Sequence, residues 1–310
     1  MNRLLRKQKI PVLQMIFIGF LPSIIKKSYY RIKGYSIGKN VSIGFGSVII
    51  GNEVQINDGV RIGLLSVIRG RIISIDRFVK IGMMTMIDTE KIKIGEDTRI
   101  NENVIIGGMK TPESEIDIGK RVIIMEYSFI NPTKPIKLGD DTGIGGHCLL
   151  FTHGSWLSEL EGYPVTFASI TIGKKVWLPW RVFILPGVNI GDNVVIGANS
   201  LITKNFPSNV LIAGSPAKIL KENYPAPISD KKRSEKIDKI FNEFISFIKY
   251  NEYDVEIERK NQSGSLVLIV REKNKRHVLV YQNDNSISIP NKTDILILNT
   301  NDNPNNNITA

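Results

Sequence analysis

The 310-residue chain carries a net charge of +11, with 42% hydrophobic and 23% charged residues. That length can bury a sizeable core and house more than one structural unit, and the composition is ordinary for a soluble globular protein. One cysteine, Cys148, excludes an intrachain disulfide and a cysteine-built metal site, and reads as a small buried residue. The positive charge favours anionic partners without choosing among phosphates, acidic glycans, nucleic acid and membrane.

Residues 1–34 form a basic N-terminal segment. Arg3, Arg6, Lys7, Lys9, Lys26, Lys27, Arg31 and Lys33 flank the apolar run PVLQMIFIGFLPSII (11–25), with no acidic residue among the first 33. The run is short for a bilayer span, which needs about 20 apolar residues. It is followed by Lys26–Lys27 and Tyr29–Tyr30 rather than a small-residue cleavage site. The expectation is an uncleaved amphipathic segment, either lying on an anionic membrane surface or capping the element that follows.

From Ile37 onward an aliphatic residue recurs at every sixth position. The triplets run Ile37, Ile43, Ile49; Ile56, Ile62, Ile68; Ile75, Ile81, Ile87; Ile94, Ile100, Ile106; Ile118, Ile124, Ile130; and Leu138, Ile144, Leu150. The clearest stretch follows, with Ile172, Leu178, Ile184, Ile190, Ile196 and Ile202. Six is not a helical period, but it suits short strands that turn alternate side chains to one face. Held this long, it predicts a hexapeptide-repeat parallel β-helix over residues 35–222, with three strands per coil. Eight coils at about 4.8 Å each make a prism on the order of 40 Å long. The first members at 37, 56, 75 and 94 step by 19 rather than 18, so one extra residue is absorbed at a corner. Glycine after several first members (Gly38, Gly95, Gly119, Gly139, Gly173, Gly191) is read as a corner needing a permissive backbone.

Two insertions break the spacing, at 107–116 and at 151–169. The larger, FTHGSWLSELEGYPVTFAS, begins directly after an inward Leu150 and places His153 where a rigid side meets a loop. Of three histidines, His147 reads as a corner residue and His277 lies far along the chain. A base that accepts a proton near pH 7 is most readily a histidine, and Trp156, Tyr163 and Phe167 could close over a substrate. No GxxxxGK[ST] or strand-linked GxGxxG is present, and the GxSxG string at 34–38 falls on the six-residue repeat rather than at a strand-to-helix elbow. A β-helix metal site of the carbonic anhydrase type needs more histidines than the solenoid's two.

After Pro225 and Pro227 the pattern changes. Residues 229–250 predict an amphipathic helix, with Ile237, Ile240, Phe241, Phe244, Ile245 and Ile248 on one face. Stretches at 253–259, 265–271, 276–282 and 294–299 predict strands. Together they make a small α+β unit over 223–300, for which acceptor recognition, oligomer contacts and capping are open, with capping or oligomer contacts favoured. The polar tail 301–310 is expected to be disordered.

FTHG (151–154), ITIGKKVWL (170–178), ILPGVNIGDNVVIGANSLITKNFP (184–207) and AGSPAKIL (213–220) carry a resemblance. Residues 36–221 resemble the hexapeptide-repeat acyltransferases, above all the maltose/galactoside acetyltransferases and the O-acetyltransferases of bacterial capsule and lipopolysaccharide. The resemblance implies a mainly β fold, a left-handed parallel β-helix, in a bacterial, cytoplasmic protein. It implies acetyl-CoA as co-substrate, no metal, no nucleic acid partner and a glycan or lipid-linked glycan acceptor. It also implies a homotrimer with its site between neighbouring prisms, and, with the basic N-terminus, a peripheral place on the inner face of the cytoplasmic membrane. By the same resemblance His153 is the general base and Trp177 lies beside the thioester. Ala198, Thr203 and Lys204 would line the pantetheine and phosphate path, and Lys218 and Lys221 the 3′-phosphoadenosine; Trp180, also expected to contact the cofactor, stands where the family pattern is broken.

Two features depart from the family pattern. Val176-Trp177-Leu178-Pro179-Trp180 stands where VWIG and a small polar residue are usual, so Pro179 and Trp180 would reshape the pantetheine groove. Lys218 and Lys221 keep the charge of the usual arginines but lose the bidentate fork. Transfer from a thioester needs only acceptor deprotonation, alignment and an oxyanion donor. N-acylation of a nucleotide-linked amino sugar fits the same residues. A non-catalytic β-helix scaffold is the reading from another class, favoured by crowding at Pro179 and Trp180.

Overall fold

The computed structural model describes residues 16–154, 157–251, 255–262, 265–272, 275–282 and 294–299. Expectations for residues 1–15, Trp156 and the tail 301–310 lie outside them. The chain divides into two compact units at Ala226/Pro227.

The first unit is a three-sided parallel β-solenoid. Coil one consists of Ser36–Ile37, Ser42–Ile43 and Val48–Ile50, one strand per face, and each later coil adds a parallel strand to each face. Eight complete coils are followed by a partial ninth on the second face. The hexads align across coils, so that Ile37 stands beside Ile56, Ile56 beside Ile75, and Leu138 beside Ile172. These rows point inward and are buried almost completely. The six-residue period works because each strand of two to four residues turns alternate side chains inward, with the corner filling the remaining positions.

The compact residue before each inward aliphatic has a second task at the corner between the second and third faces. Ser66 Oγ donates to the Gly82 carbonyl at 2.8 Å, Thr85 Oγ1 to Asn101 at 2.8 Å and Ser128 Oγ to Gly145 at 2.9 Å. These buried hydroxyls satisfy corner carbonyls of the next coil. Cys148 occupies the same row, and its thiol reaches the Pro179 carbonyl at 3.0 Å. Burial pushes that thiol up to about 11, so it is inert and structural.

The corner glycines are needed for a reason other than the one expected. Gly38, Gly95 and Gly139 are not at positive φ; the left-handed positions fall two residues later, at Asn40, Asp97 and Asp141. What excludes a side chain is the next coil. A Cβ on Gly139 would lie 2.5 Å from the Gly173 carbonyl carbon. Close backbone approach, not φ, selects glycine here.

Helix α1 (Ser23–Ile32) closes the open end of the first coil. Lys26, fully buried, donates to the carbonyls of Gly44 (2.5 Å) and Ser47 (3.1 Å), and burial lowers its ammonium to about 8. Ser23 Oγ accepts from the Ile43 N–H, Tyr30 Oη from the Ile49 N–H, and Arg31 donates to the Ile37 carbonyl. The first coil's unpaired backbone groups are thus met by side chains, which is how an exposed sheet edge is blunted. Of the two roles expected for this segment, capping is directly visible.

At the far end, Val210–Gly214 joins the second face, and Ala217–Glu222 pairs antiparallel to it, ending the coil. In the second unit, α2 (Asp230–Tyr250) begins at Ser229, whose Oγ accepts the Lys232 N–H. It buries Phe241 and Ile248, with Ile237, Phe244 and Ile245 packed on them. Ile240, expected on that face, is half exposed because its angular position carries it to the rim. Four strands follow, Glu256–Gln262, Ser265–Glu272, Lys275–Gln282 and Asp294–Asn299, the last pair parallel. The first begins three residues later than expected; residues 253 and 254 lie outside the described part.

Candidate active site

The chain leaves the third face at Leu149–Phe151 and is pinned at once by Thr152. This buried side chain donates to the Asn131 carbonyl (2.8 Å) and accepts from the Lys134 N–H (2.9 Å). His153–Gly154 then pairs antiparallel with Thr166–Phe167, and the Ala168 N–H closes onto the Thr152 carbonyl at 2.9 Å. Among its described residues the intervening loop bears one 3-10 turn, Glu159–Glu161, and exposes Tyr163. His153 therefore sits on a short ribbon anchored in the solenoid.

The register sets His153 against Phe167. Their rings stack with centroids 5.7 Å apart and 14° between planes, and the Phe151 ring lies 6.2 Å away. The imidazole is half-buried, and its Nδ1 is buried with no hydrogen-bond partner among the described residues. Desolvation holds its pKa below the usual 6.5, because burial penalises the charged form. That direction favours the neutral ring, the form that can accept a proton.

An apolar row beside it was not singled out from sequence. Phe129 meets Phe151 edge-to-face at 5.0 Å, Phe151 meets Phe183 at 5.7 Å, and Phe183 is in register with Leu201. The signal was present: Phe129, Phe183 and Leu201 each directly precede an inward residue of the third face.

Trp177 lies on the second face, its ring over Gly143, where a Cβ would come within 2.4 Å of it. Trp180, at the corner between the second and third faces, covers Gly146 in the same way and stands 6.3 Å from His147. His147 is a corner residue at φ 56°, stacked on Tyr127 at 5.2 Å. Trp180 and His153 thus border the third face on opposite sides, while Trp177 lies around the corner from both. Within one copy, His153 and Trp177 occupy different sides of the prism.

Ala198, Thr203 and Lys204 are exposed on the last full coil, and Lys218 and Lys221 on the closing hairpin. The Lys204 ammonium stands 5.8 Å from the Phe206 ring centroid. These cations share the end of the solenoid that carries Trp177 and Trp180. Among the described residues no three His, Cys, Asp or Glu side chains are grouped as a metal site would need.

Residues 169–204 match the family model for the bacterial transferase hexapeptide (six repeats). The chain carries a bacterial-transferase hexapeptide repeat. A galactoside O-acetyltransferase of Escherichia coli (strain K12) is 55% identical over 64 residues, 21% of this chain and 29% of that protein. The galactoside O-acetyltransferase of Lactococcus lactis (subsp. lactis, strain IL1403) is 41% identical over 76 residues, 24% and 36% of the two chains. A proposed colanic acid biosynthesis acetyltransferase of Escherichia coli (strain K12), WcaF, is 41% identical over 69 residues, 22% and 38% of the two chains. The matched stretches span well under half the length of these relatives. Among solved structures, a galactoside acetyltransferase in complex with coenzyme A aligns over 71% of this chain and 84% of its own, at 21% identity and a TM-score of 0.34. The residues matched by the family model include Trp177, Trp180, Ala198, Thr203 and Lys204.

Proposed function

We propose that this protein is a coenzyme A-dependent O-acetyltransferase that moves an acetyl group from acetyl-CoA to a sugar hydroxyl of a cell-surface polysaccharide or its precursor. One observation carries the reading: a half-buried imidazole at residue 153, stacked on Phe167, stands on a short ribbon anchored in the solenoid that also bears the hexapeptide repeat. The similarity to two galactoside O-acetyltransferases supports the choice of acceptor atom. The likeness to WcaF supports a surface glycan as acceptor.

His153 takes the proton of the acceptor hydroxyl as its oxygen attacks the thioester carbonyl. The tetrahedral intermediate collapses with cleavage of the C–S bond, and His153 returns the proton to the departing thiolate. Trp177 and Trp180 flank the path of the pantetheine arm. Ala198 and Thr203 leave room for its approach, and the exposed ammonium groups of Lys204, Lys218 and Lys221 suit the phosphates. No step requires a metal.

Because His153 and Trp177 lie on different faces of one copy, the reading needs a homotrimer in which one prism's His153 meets its neighbour's Trp177. Peripheral contact with an anionic membrane face is part of the same proposal, supported by exposed Phe17, Ile24, Ile25 and Ile32 in the basic N-terminal segment. His153→Ala removes the base. Thiol release from acetyl-CoA with a glycan acceptor panel should fall by about 10²–10⁴-fold, with acetyl-CoA affinity unchanged by calorimetry. Turnover within a few-fold of wild type would refute the assignment.

A further inference from the structure

The second face carries a row of cations that the fold does not neutralise. Parallel register sets Arg61 beside Lys80 and Lys80 beside Arg99, all pointing outward on successive coils. Like charges stacked as direct strand neighbours repel. Elsewhere on this solenoid the stacked cations meet acids: Arg71 meets Glu90 (2.8 Å), Arg77 meets Glu96 (2.6 Å), Lys93 meets Asp117 (3.3 Å) and Arg121 meets Asp141 (2.6 Å). Among the described residues Arg61, Lys80 and Arg99 have no such partner. The nearby Glu126 carboxylate accepts from Asn101 Nδ2 at 2.7 Å.

The same three side chains line an open groove of about 330 Å³ with Leu64, Met83 and Glu102. The recess offers a cation at each rung, apolar rungs on one wall and one carboxylate acceptor. At the inter-strand spacing of about 4.8 Å, three rungs span about 10 Å, the scale of a disaccharide. Leu64 and Met83 are exposed enough to meet the faces of sugar rings, and Glu102 can accept from hydroxyls. The row also leads to the proposed site. Arg99 is in register with Ile123, Ile123 with Gly143 and Gly143 with Trp177, so Trp177 stands three coils on, about 14 Å along the same face.

We propose that Arg61, Lys80 and Arg99 form the binding row for an anionic polysaccharide, holding a carboxylate- or phosphate-bearing acceptor strand in line with the transfer site. This rests on the acyl-transfer reading above and names its acceptor class. A recessed, strand-spaced row suits a linear polymer that can lie in it. A bilayer surface is flat and would meet projecting groups first.

The test uses the full-length protein, with polygalacturonate oligomers as probe and dextran oligomers of equal length as the neutral control. Wild type should bind polygalacturonate, weakening as salt rises, and leave dextran unbound. The triple variant Arg61→Gln/Lys80→Gln/Arg99→Gln should lose at least tenfold in that affinity, keep its acetyl-CoA affinity and sediment as wild type does. The charge-preserving Arg61→Lys/Arg99→Lys should still bind, which separates loss of charge from loss of fold. Unchanged polygalacturonate affinity in the triple variant, or equal binding of dextran, overturns the proposal. So does an altered sedimentation mass, which would assign the row to contact between copies. Binding of phosphatidylglycerol vesicles that is lost in the triple variant while polygalacturonate binding persists would assign the row to a membrane and also overturn it. A wild type that binds polygalacturonate through this row yet shows no acetyl-CoA turnover supports the row and removes acyl transfer.

Discussion

The same outward row of the second face reads Arg61, Lys80, Arg99 in the early coils and Trp177, Val195, Leu211 in the late ones. Behind both stretches the inward row hardly varies: Ile62, Ile81 and Ile100 early, Leu178, Ile196 and Ile212 late, all buried. One scaffold therefore presents a charged surface towards one end and an apolar one towards the other with no change of backbone. The solenoid spends its stability on alternate residues, and their neighbours are free to differ. Distance along the axis, not local fold, decides which chemistry is offered.

That separation can be broken most sharply within one strand, Arg99–Ile100. Ile100 is completely buried, and Ile100→Ala should destabilise the solenoid by about 3 kcal/mol through lost transfer energy and an unfilled cavity. Arg99→Ala, one residue away and outward, should change stability by less than about 0.5 kcal/mol. Chemical denaturation of the two variants measures the contrast, and similar losses would show that the outer row is structural after all.

A smaller effect belongs to the end of the coil. Lys26 links α1 to the first coil through two carbonyls, and Lys26→Ala leaves both without their donor in a buried place. A loss of about 2 kcal/mol follows, from two buried acceptors at about 1 kcal/mol each. Hydrogen exchange should locate the loosening at the first coil rather than near His153. Uniform loss of protection along the solenoid would contradict a cap.

The inward rows were legible because six residues is a period that the chain repeats from Ile37 to Ile202, and a regular backbone makes regular sequence. α2 was legible for the same reason. His153 stood out as a scarce residue type at a break in the period. What surrounds it did not: the contact with Phe167 crosses a loop of a dozen residues and depends on a ribbon register that no local pattern announces. The basic row has no local signature, because residues 61, 80 and 99 are neighbours only across coils. The glycine rows were seen but misread, since a Cβ clash with the next coil leaves no mark that distinguishes it from a demand for positive φ. Lys26 stands in the sequence only as one of eight basic residues, because a buried lysine with carbonyl partners has the same sequence signature as an exposed one.

The finest contrast concerns the imidazole itself. Burial lowers the His153 pKa beneath 6.5, so the folded protein holds this proton less tightly than the unfolded chain does. The neutral form then persists as pH falls through 6.5, and the acid limb of kcat/KM should have its midpoint below that value. The same sign means that His153 works against stability as pH drops through the unfolded value, since the folded state must either bury a charge or refuse the proton. Phe167→Ala removes the ring stacked on the imidazole and admits water to that face. Its acid limb should therefore move up towards 6.5 while the plateau rate changes less than in His153→Ala. A limb that stays in place would mean that Phe167 orients the ring without desolvating it. The lowered pKa would then have to come from the solenoid side, where Phe151 lies.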